Sequence, residues 1–139
     1  MKILGVDYGD ARTGLSVSDP TGLIAGSPSV IAEWNRDKLI EKLVSYIREN
    51  RIEEIVMGYP RNMDGTVGAR AEKCAALAEA LHEQTGVPVV LWDERRTTVA
   101  AHQILHQSGK KMKQHRKTVD AVAATLILQG YLDHKRMMK

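Results

Sequence analysis

The stretch that most constrains the fold is residues 2–18, KILGVDYGDARTGLSVS. An apolar run ends at Asp7, a glycine-containing turn follows, and a second run starts at Gly14. This pattern predicts a central strand that ends at an aspartate. Because apolar surroundings disfavour a lone carboxylate, Asp7 needs water, hydrogen bonds or a cation. The simpler interpretation is a hairpin turn in which Asp7 accepts backbone N–H bonds.

The turn after Asp7 has the composition of a phosphate-binding loop. Gly9 and Gly14 bound a segment whose backbone can come close to a phosphate. Arg12 lies inside that segment, and its planar guanidinium matches the geometry of phosphate oxygens. We therefore expect Arg12 to contact a phosphate group.

Length and composition indicate one domain, spanning residues 1–139. A chain of 139 residues with 43% hydrophobic content is long enough for one core and short for two. We expect a cytoplasmic protein without a membrane segment, because no signal-peptide or membrane-spanning run occurs in the sequence. The single cysteine, Cys74, excludes an internal disulfide and is interpreted as a small core residue.

The charge distribution points to a polyanionic partner. Residues 1–94 contain 10 basic and 15 acidic side chains, whereas residues 95–139 contain 10 basic and 2 acidic side chains. Such an asymmetry is typical of a protein that meets nucleic acid on one face, although solvated surface lysines would also produce it. Residues 107–117, QSGKKMKQHRK, are interpreted as a mobile basic loop that closes over the nucleic-acid backbone.

Hydrophobic periodicity predicts an α/β fold. The predicted strands are 3–7, 14–18, 23–32 (an edge strand, because it contains Pro28), 54–58 and 87–92, and the predicted helices are 36–50, 66–85, one from Thr97 or Thr98 to His106, and one capped by Thr118. Helical crossovers make the first, fourth and fifth strands parallel. We expect a mixed five-stranded sheet of order 3-2-1-4-5, with strand 2 antiparallel and helices on both faces.

Three acidic residues are the candidates for chemistry. Asp7 ends one parallel strand and Glu94 follows another, so both belong to the edge where α/β sheets form crevices. Asp120, in the first turn of the last helix, is the third. Hard divalent cations such as Mg²⁺ or Mn²⁺ neutralise clustered carboxylates, and two such ions roughly 4 Å apart can activate a water and stabilise a leaving oxygen. Alternatively, Glu94 and Asp120 are favoured only by helix dipoles, or Asp93 replaces Glu94.

Four motifs together resemble the YqgF-type family of ribonuclease H-like proteins. They are residues 7–14 (DYGDARTG), 58–66 (GYPRNMDGT), 93–98 (DERRTT) and 119–124 (VDAVAA). Members of that family are described as Holliday junction resolvases and as nucleases that mature the precursor of small-subunit ribosomal RNA. The resemblance covers nearly the whole chain. It implies a ribonuclease H-like fold in which Asp7, Glu94 and Asp120 bind the metal and catalyse hydrolysis.

The resemblance also places Arg12 and the loop 58–65 beside the catalytic site, where we expect substrate contacts. Together with the basic residues of the C-terminal third, the predicted nucleic-acid-binding residues are Arg12, Asn62, Arg95, Lys110, Lys111, Lys113, Arg116 and Lys117. Tyr59 and Arg61 depart from the residues common in the family, which affects only the details of their loop. If one site cuts one strand, symmetric resolution of a junction requires two sites, so a homodimer is possible.

Several alternatives remain at this point. The chain could be a binding protein that holds ribosomal precursor or a transcription complex without cutting it. Its first motif also resembles the phosphate loop of sugar kinases and actin-like ATPases, but there is no second lobe to enclose a nucleotide. His102 and His106 have a zinc-compatible spacing but lack a third ligand in the pattern. Trp34 and Trp92 are interpreted as core or rim residues rather than base-stacking platforms.

Overall fold

The computed structural model describes residues 1–22, 24–60, 68–93 and 116–137, with the side chains of all of these except 116–121. A mixed sheet contains β1 (Ile3–Asp7), β2 (Arg12–Ser18), β3 (Ala25–Ala32), β4 (Glu54–Tyr59) and β5 (Val89–Asp93). The strand order is β3-β2-β1-β4-β5. Strand β2 is antiparallel to both neighbours, and β1, β4 and β5 are parallel. The predicted strand order and directions are confirmed.

Within the described ranges, three helices pack on this sheet: α1 (Arg36–Glu49), α2 (Ala69–Thr85) and α3 (Arg116–Met137). Helix α1 begins after Asn35, whose side-chain oxygen accepts a hydrogen bond from the backbone N–H of Lys38 at 3.1 Å. This cap satisfies one of the N–H groups that a helix start leaves unpaired. In the described part of the chain, no helix combines the length and apolarity required to cross a membrane.

Several predicted boundaries are wrong by a few residues, and two of them concern predicted site residues. Arg12 is the first residue of β2, paired with Ala32, rather than part of the loop, because β3 provides a partner for it. Helix α3 begins at Arg116, so Thr118 is not its cap and Asp120 belongs to its second turn. Arginine and lysine favour helices, which explains why the helix begins at Arg116, two residues before Thr118. The predicted helix near residues 97–106 and loop residues 107–115 lie outside the described residues.

The sheet separates two apolar clusters. On one face, α1 and α2 cover β1, β2 and β4 with long aliphatic side chains, among them Leu4, Leu43, Ile55 and Leu81. Cys74 is buried in this cluster, which confirms its interpretation as a core residue. On the other face, α3 covers a smaller cluster whose members are Ile3, Val56, Trp92, Ile127, Leu128, Tyr131 and Leu132. We call these the α1–α2 face and the α3 face.

Candidate functional site at the carboxyl edge of the sheet

The parallel strands β1, β4 and β5 end at the same edge of the sheet, which we call the carboxyl edge. Val6, Met57 and Leu91 are level with one another across the three strands. Asp7 follows Val6 as the last residue of β1 and is partly buried. Crevices at this edge are where α/β sheets usually bind ligands, so Asp7 lies where a catalytic carboxylate is expected.

Strand alternation assigns Asp7 to a face. Leu4 and Val6 belong to the α1–α2 cluster, whereas Ile3 belongs to the α3 cluster. A Cβ atom added at Gly5 would lie 2.7 Å from the Cβ of Leu128 and 2.9 Å from the carbonyl oxygen of Ala124. Successive side chains of a strand point to opposite faces, so Asp7 lies on the α3 face, like Ile3 and Gly5.

The contacts of α3 give its direction over the sheet. Glu54, which is level with Ile3, accepts hydrogen bonds from Tyr131 and from Lys135 at the far end of α3. Gly5, two residues further along β1, meets residues nearer the start of that helix. Helix α3 therefore runs antiparallel to β1. Its backbone at position 120, one turn before Ala124, lies toward the carboxyl edge, and the side chain of Asp120 lies outside the described ones.

The tight contact at Gly5 was not predicted from the sequence. A glycine inside a predicted strand indicates a close backbone approach, and this is the signal that could have found it. Any larger residue would push α3 away from β1 next to Asp7.

Asp93, the alternative to Glu94, lies on the other face. Val90 and Trp92 pack in the α3 cluster, whereas Val89 packs against the α1–α2 cluster. By the same alternation, Asp93, the last residue of β5, faces the α1–α2 side and not the side of Asp7. Asp93 is therefore a poor replacement for Glu94 beside Asp7.

The loop after Asp7 contains a tight turn at Gly9 and is contacted by two residues of α2. A Cβ atom at Gly9 would lie only 2.2 Å from the carbonyl oxygen of Arg12, so glycine is required in this turn. From the first turns of α2, Arg70 donates a hydrogen bond to the carbonyl oxygen of Tyr8 at 2.9 Å, and Lys73 pairs with Asp10 at 3.8 Å. These two α2 residues were missed because the sequence does not show which carbonyl a surface arginine reaches.

Arg12 lies at the carboxyl edge with Asp7. Asp7 pairs with Gly14, and Arg12, two residues before Gly14 on antiparallel β2, extends beyond it. The Arg12 side chain is partly buried. A cation and a carboxylate on adjacent strands of one edge suit the binding of a phosphate and the chemistry at its phosphorus.

The other predicted site residues are not described. Glu94, Asn62, Arg95, Lys110, Lys111 and Lys113 lie outside the described residues, and for Arg116 and Lys117 only the helical backbone is described. Within the described ranges, no three acidic, histidine or cysteine side chains form a group that could hold a metal ion. Of the three predicted carboxylates, Asp7 alone has a described side chain.

At the opposite edge of the sheet, Glu54 and Tyr131 are buried between β4 and α3, and the partly exposed Lys135 joins them. The Tyr131 hydroxyl donates to one oxygen of Glu54, and the Lys135 ammonium lies 2.8 Å from the other. Burial and the Glu54 carboxylate raise the pKa of Tyr131 well above its usual value of 10.0. This group fixes the end of α3 that is far from Asp7.

Comparison with known proteins gives the family. The model of the family described as "RuvX: Holliday junction resolvase" matches residues 1–134. A protein of Lachnospira eligens named "Putative pre-16S rRNA nuclease" is 41% identical over 142 residues, covering 98% of this chain and 99% of its own. A protein of the same name from Acetivibrio thermocellus is also 41% identical, over 97% of both chains.

A solved structure supports the fold. The Thermus thermophilus RuvC structure in complex with a Holliday junction substrate aligns with a TM-score of 0.66, covering 100% of this chain and 97% of that one. Its sequence identity is 14%, so the likeness concerns the architecture, which is ribonuclease H-like as predicted. With a family model that matches residues 1–134 and relatives that match over nearly their full length, this chain belongs to the RuvX family of Holliday junction resolvases.

Proposed function

We propose that this protein is a metal-dependent nuclease that hydrolyses phosphodiester bonds. The proposed substrates are the 5′ end of the 16S ribosomal RNA precursor, a Holliday junction, or both. Membership of the RuvX family and the names of the relatives support a nuclease role. The observation that carries the proposal is the position of Asp7 at the carboxyl edge, on the face where Gly5 brings α3 against β1.

Asp7, Glu94 and Asp120 are the proposed metal ligands. The direction of α3 supports the inclusion of Asp120, because four helical residues and two strand residues each advance roughly 6 Å. Going from Gly5 to Asp7 on β1 thus corresponds to going from Ala124 to Asp120 on α3.

The inclusion of Glu94 is supported by the orientation of Asp93, which faces the α1–α2 side and not the side of Asp7. In a chain that continues extended, the residue after Asp93 returns to the face of Asp7. Because β4 lies between β1 and β5, the backbones at the ends of β1 and β5 are separated by two strand spacings, roughly 10 Å in total. The side chains of Asp7 and Glu94 and the bound metal ions would have to bridge this distance.

The donor chemistry fits a hard divalent cation, because Asp7 offers carboxylate oxygen at an open edge. Bound Mg²⁺ or Mn²⁺, with two ions in our proposal, would supply an activated water and stabilise the departing oxygen. Arg12 binds the phosphate next to Asp7 and positions its phosphorus. Arg70 and Lys73 hold the intervening loop, so that Asp7 and Arg12 keep their spacing when substrate enters. Asn62, Arg95 and the basic residues 110, 111, 113, 116 and 117 bind the flanking backbone.

The test is cleavage of a ribosomal precursor fragment and of a synthetic four-way junction, each with Mg²⁺, with Mn²⁺ and with EDTA. We expect Asp7→Asn to lower the cleavage rate by about 100-fold or more with little change in the thermal unfolding temperature. Asp37→Asn is the matched control, because Asp37 is an exposed carboxylate in the first turn of α1, outside the loop that follows Asp7. Unchanged cleavage by Asp7→Asn, or cleavage in EDTA, contradicts the proposal.

The same experiment separates the enzyme from a binding protein. A protein that only holds nucleic acid would bind in EDTA, cleave nothing, and be insensitive to Asp7→Asn. The mass of the protein in solution, alone and on a junction, tests the proposed homodimer. Because paired symmetric cuts in a junction call for two active sites, we expect two copies of the chain on one junction, and paired cuts made by a single copy would contradict the proposed homodimer.

A further inference from the structure

The two tryptophans of the chain have opposite environments. Trp92 lies in the α3 cluster with 6% of its surface exposed, as predicted for a core residue. Trp34, in the connection between β3 and α1, is 81% exposed. A single exposed apolar residue is common on protein surfaces, so the exposure of Trp34 gains meaning only from its position in the fold. Tryptophan combines a large apolar ring with a polar N–H, which suits it to contact a ligand.

The backbone on both sides of Trp34 is fixed by its neighbours. The Glu33 carboxylate accepts the backbone N–H of Asn35 at 3.1 Å and pairs with Lys42 of α1 at 3.0 Å. Asn35 in turn caps α1 through its bond to Lys38. Trp34 is therefore an exposed ring on an ordered turn, and a ligand that binds it does not have to order the backbone first.

This turn lies at the carboxyl edge. Strand β3 ends at Ala32, which pairs with Arg12, and Asp7 pairs with Gly14 further along β2. Ala32 lies two strand spacings from β1 and two strand residues beyond the level of Asp7, so its backbone is roughly 12 Å from that of Asp7. Trp34 follows Ala32 by two residues, which corresponds to a separation of a few nucleotides along a bound strand.

Two arginines lie near this turn in the fold. Arg12 starts β2 opposite the end of β3, and Arg36, which is exposed, is the first residue of α1. Of the two acidic residues near the turn, Glu33 is paired with Lys42 and Asp37 is exposed. An aromatic side chain between cations is the combination that binds single-stranded nucleic acid, because the base stacks on the ring and the cations contact the phosphates. A duplex would not offer a base face at this position without opening a pair.

We propose that Trp34 stacks on an unpaired base of the substrate strand, a few nucleotides from the scissile phosphate. This inference rests on the proposed nuclease function, because it places the base by reference to Asp7. The ring selects substrates with a single-stranded or frayed segment next to the cut, and it contributes affinity that depends little on base identity.

The first experiment uses tryptophan fluorescence. Asp7→Asn protein in EDTA is titrated with a 12-nucleotide single-stranded RNA and with a blunt RNA duplex of the same sequence. We expect the single strand to quench the fluorescence and to protect it from acrylamide. In Asp7→Asn combined with Trp34→Phe, the remaining Trp92 is buried, and we expect its signal to stay unchanged. Equal quenching in both proteins contradicts the proposal.

The second experiment measures affinity. We expect Trp34→Ala to weaken single-strand binding by about five- to tenfold, Trp34→Phe to retain most of the affinity, and the salt dependence to keep its slope. Arg12→Ala, by contrast, should reduce that slope. Ile24→Ala is the control, because Ile24 is 64% exposed in the turn before β3, at the opposite edge of the sheet. An unchanged affinity for Trp34→Ala overturns the stacking role, whether the ring then serves a protein partner or a second copy.

The two proposals fail separately. If Trp34→Ala cleaves and binds like the wild type while Asp7→Asn is inactive, the nuclease function stands and the stacking role is wrong. If single strands quench Trp34 but no substrate is cut, the stacking surface stands and the nuclease assignment is wrong.

Discussion

On the α1–α2 face the core consists of long aliphatic side chains, whereas on the α3 face a glycine brings a strand and a helix backbone together. Large side chains on the first face bury much apolar area and make it the main source of stability. The second face has a smaller apolar cluster and a buried polar group, and its close contact lies two residues from Asp7. The comparison suggests that one face supplies stability and the other sets the geometry of the site.

The largest expected effect is on stability alone. Leu43 of α1 is fully buried, and Leu43→Ala should lower the free energy of unfolding by about 2–5 kcal/mol through the cavity it leaves. Because Leu43 belongs to α1 and makes neither of the α2 contacts to the loop after Asp7, the rate constant for cleavage at temperatures where the variant is folded should change little. Chemical denaturation and single-turnover cleavage measure the two quantities. A rate that falls as steeply as stability would break the distinction between the faces.

The next effect combines stability with activity. Gly5→Ala adds a Cβ that would lie 2.7 Å from Leu128, so α3 must move, at a cost of about 1–3 kcal/mol. We expect cleavage by the folded variant to fall by at least about tenfold, since a displacement near 1 Å is costly to catalysis. Gly26→Ala is the control, because its added Cβ would have its nearest neighbour at 3.9 Å. Equal rates for the two variants would mean that α3 does not position the site.

A smaller effect is expected at the far end of α3. Tyr131→Phe removes a hydrogen bond to Glu54 and should lower the free energy of unfolding by about 1 kcal/mol. Since the pKa of Tyr131 is raised in the fold, this contribution is complete below the unfolded pKa of 10.0 and is lost as the pH rises through the higher folded value.

Absorbance titration of the four tyrosines checks this prediction. One tyrosine should ionise only at the alkaline extreme in the wild type and be missing from the curve of Tyr131→Phe. Tyr46→Phe, on the side of α1, should leave that late step in place. If the late step persists in Tyr131→Phe, the assignment of the raised pKa is wrong.

The smallest effect is expected for a substitution at Asp93, which tests the comparison of the two faces at the site itself. Asp93 faces the α1–α2 side, so Asp93→Asn should keep cleavage within about twofold of the wild type, whereas Glu94→Gln should resemble Asp7→Asn. Metal-titrated cleavage rates of the three variants give the answer. A large loss in Asp93→Asn with normal activity in Glu94→Gln would reverse the choice between the two acidic residues.

The sheet was predictable because its strands are short apolar runs bounded by turns, and because crossover handedness leaves few topologies. Arg12 was predicted to lie in the loop because the pair Arg12-Thr13 does not by itself indicate a strand. Its place in β2 depends on pairing with β3, which the local sequence does not show. Asp7 could be found because a carboxylate that ends a buried strand is unusual. Gly5, Arg70 and Lys73 could not, since their roles depend on distances between elements remote in sequence. Trp34 and Trp92 show that residue type alone does not decide burial.

The anchoring of α3 by Glu54 has a consequence for variation far from the site. Between Tyr131 and position 120 the helix rises by roughly 16 Å, with its closest approach to β1, at Gly5, in between. A tilt of about 5° around that approach moves the backbone at position 120 by roughly 1 Å. Substitutions at the edge where the parallel strands begin, near Glu54, are thus expected to alter the cleavage rate while touching neither substrate nor metal ligands. Natural sequence differences at that edge would change the activity of the enzyme from a distance.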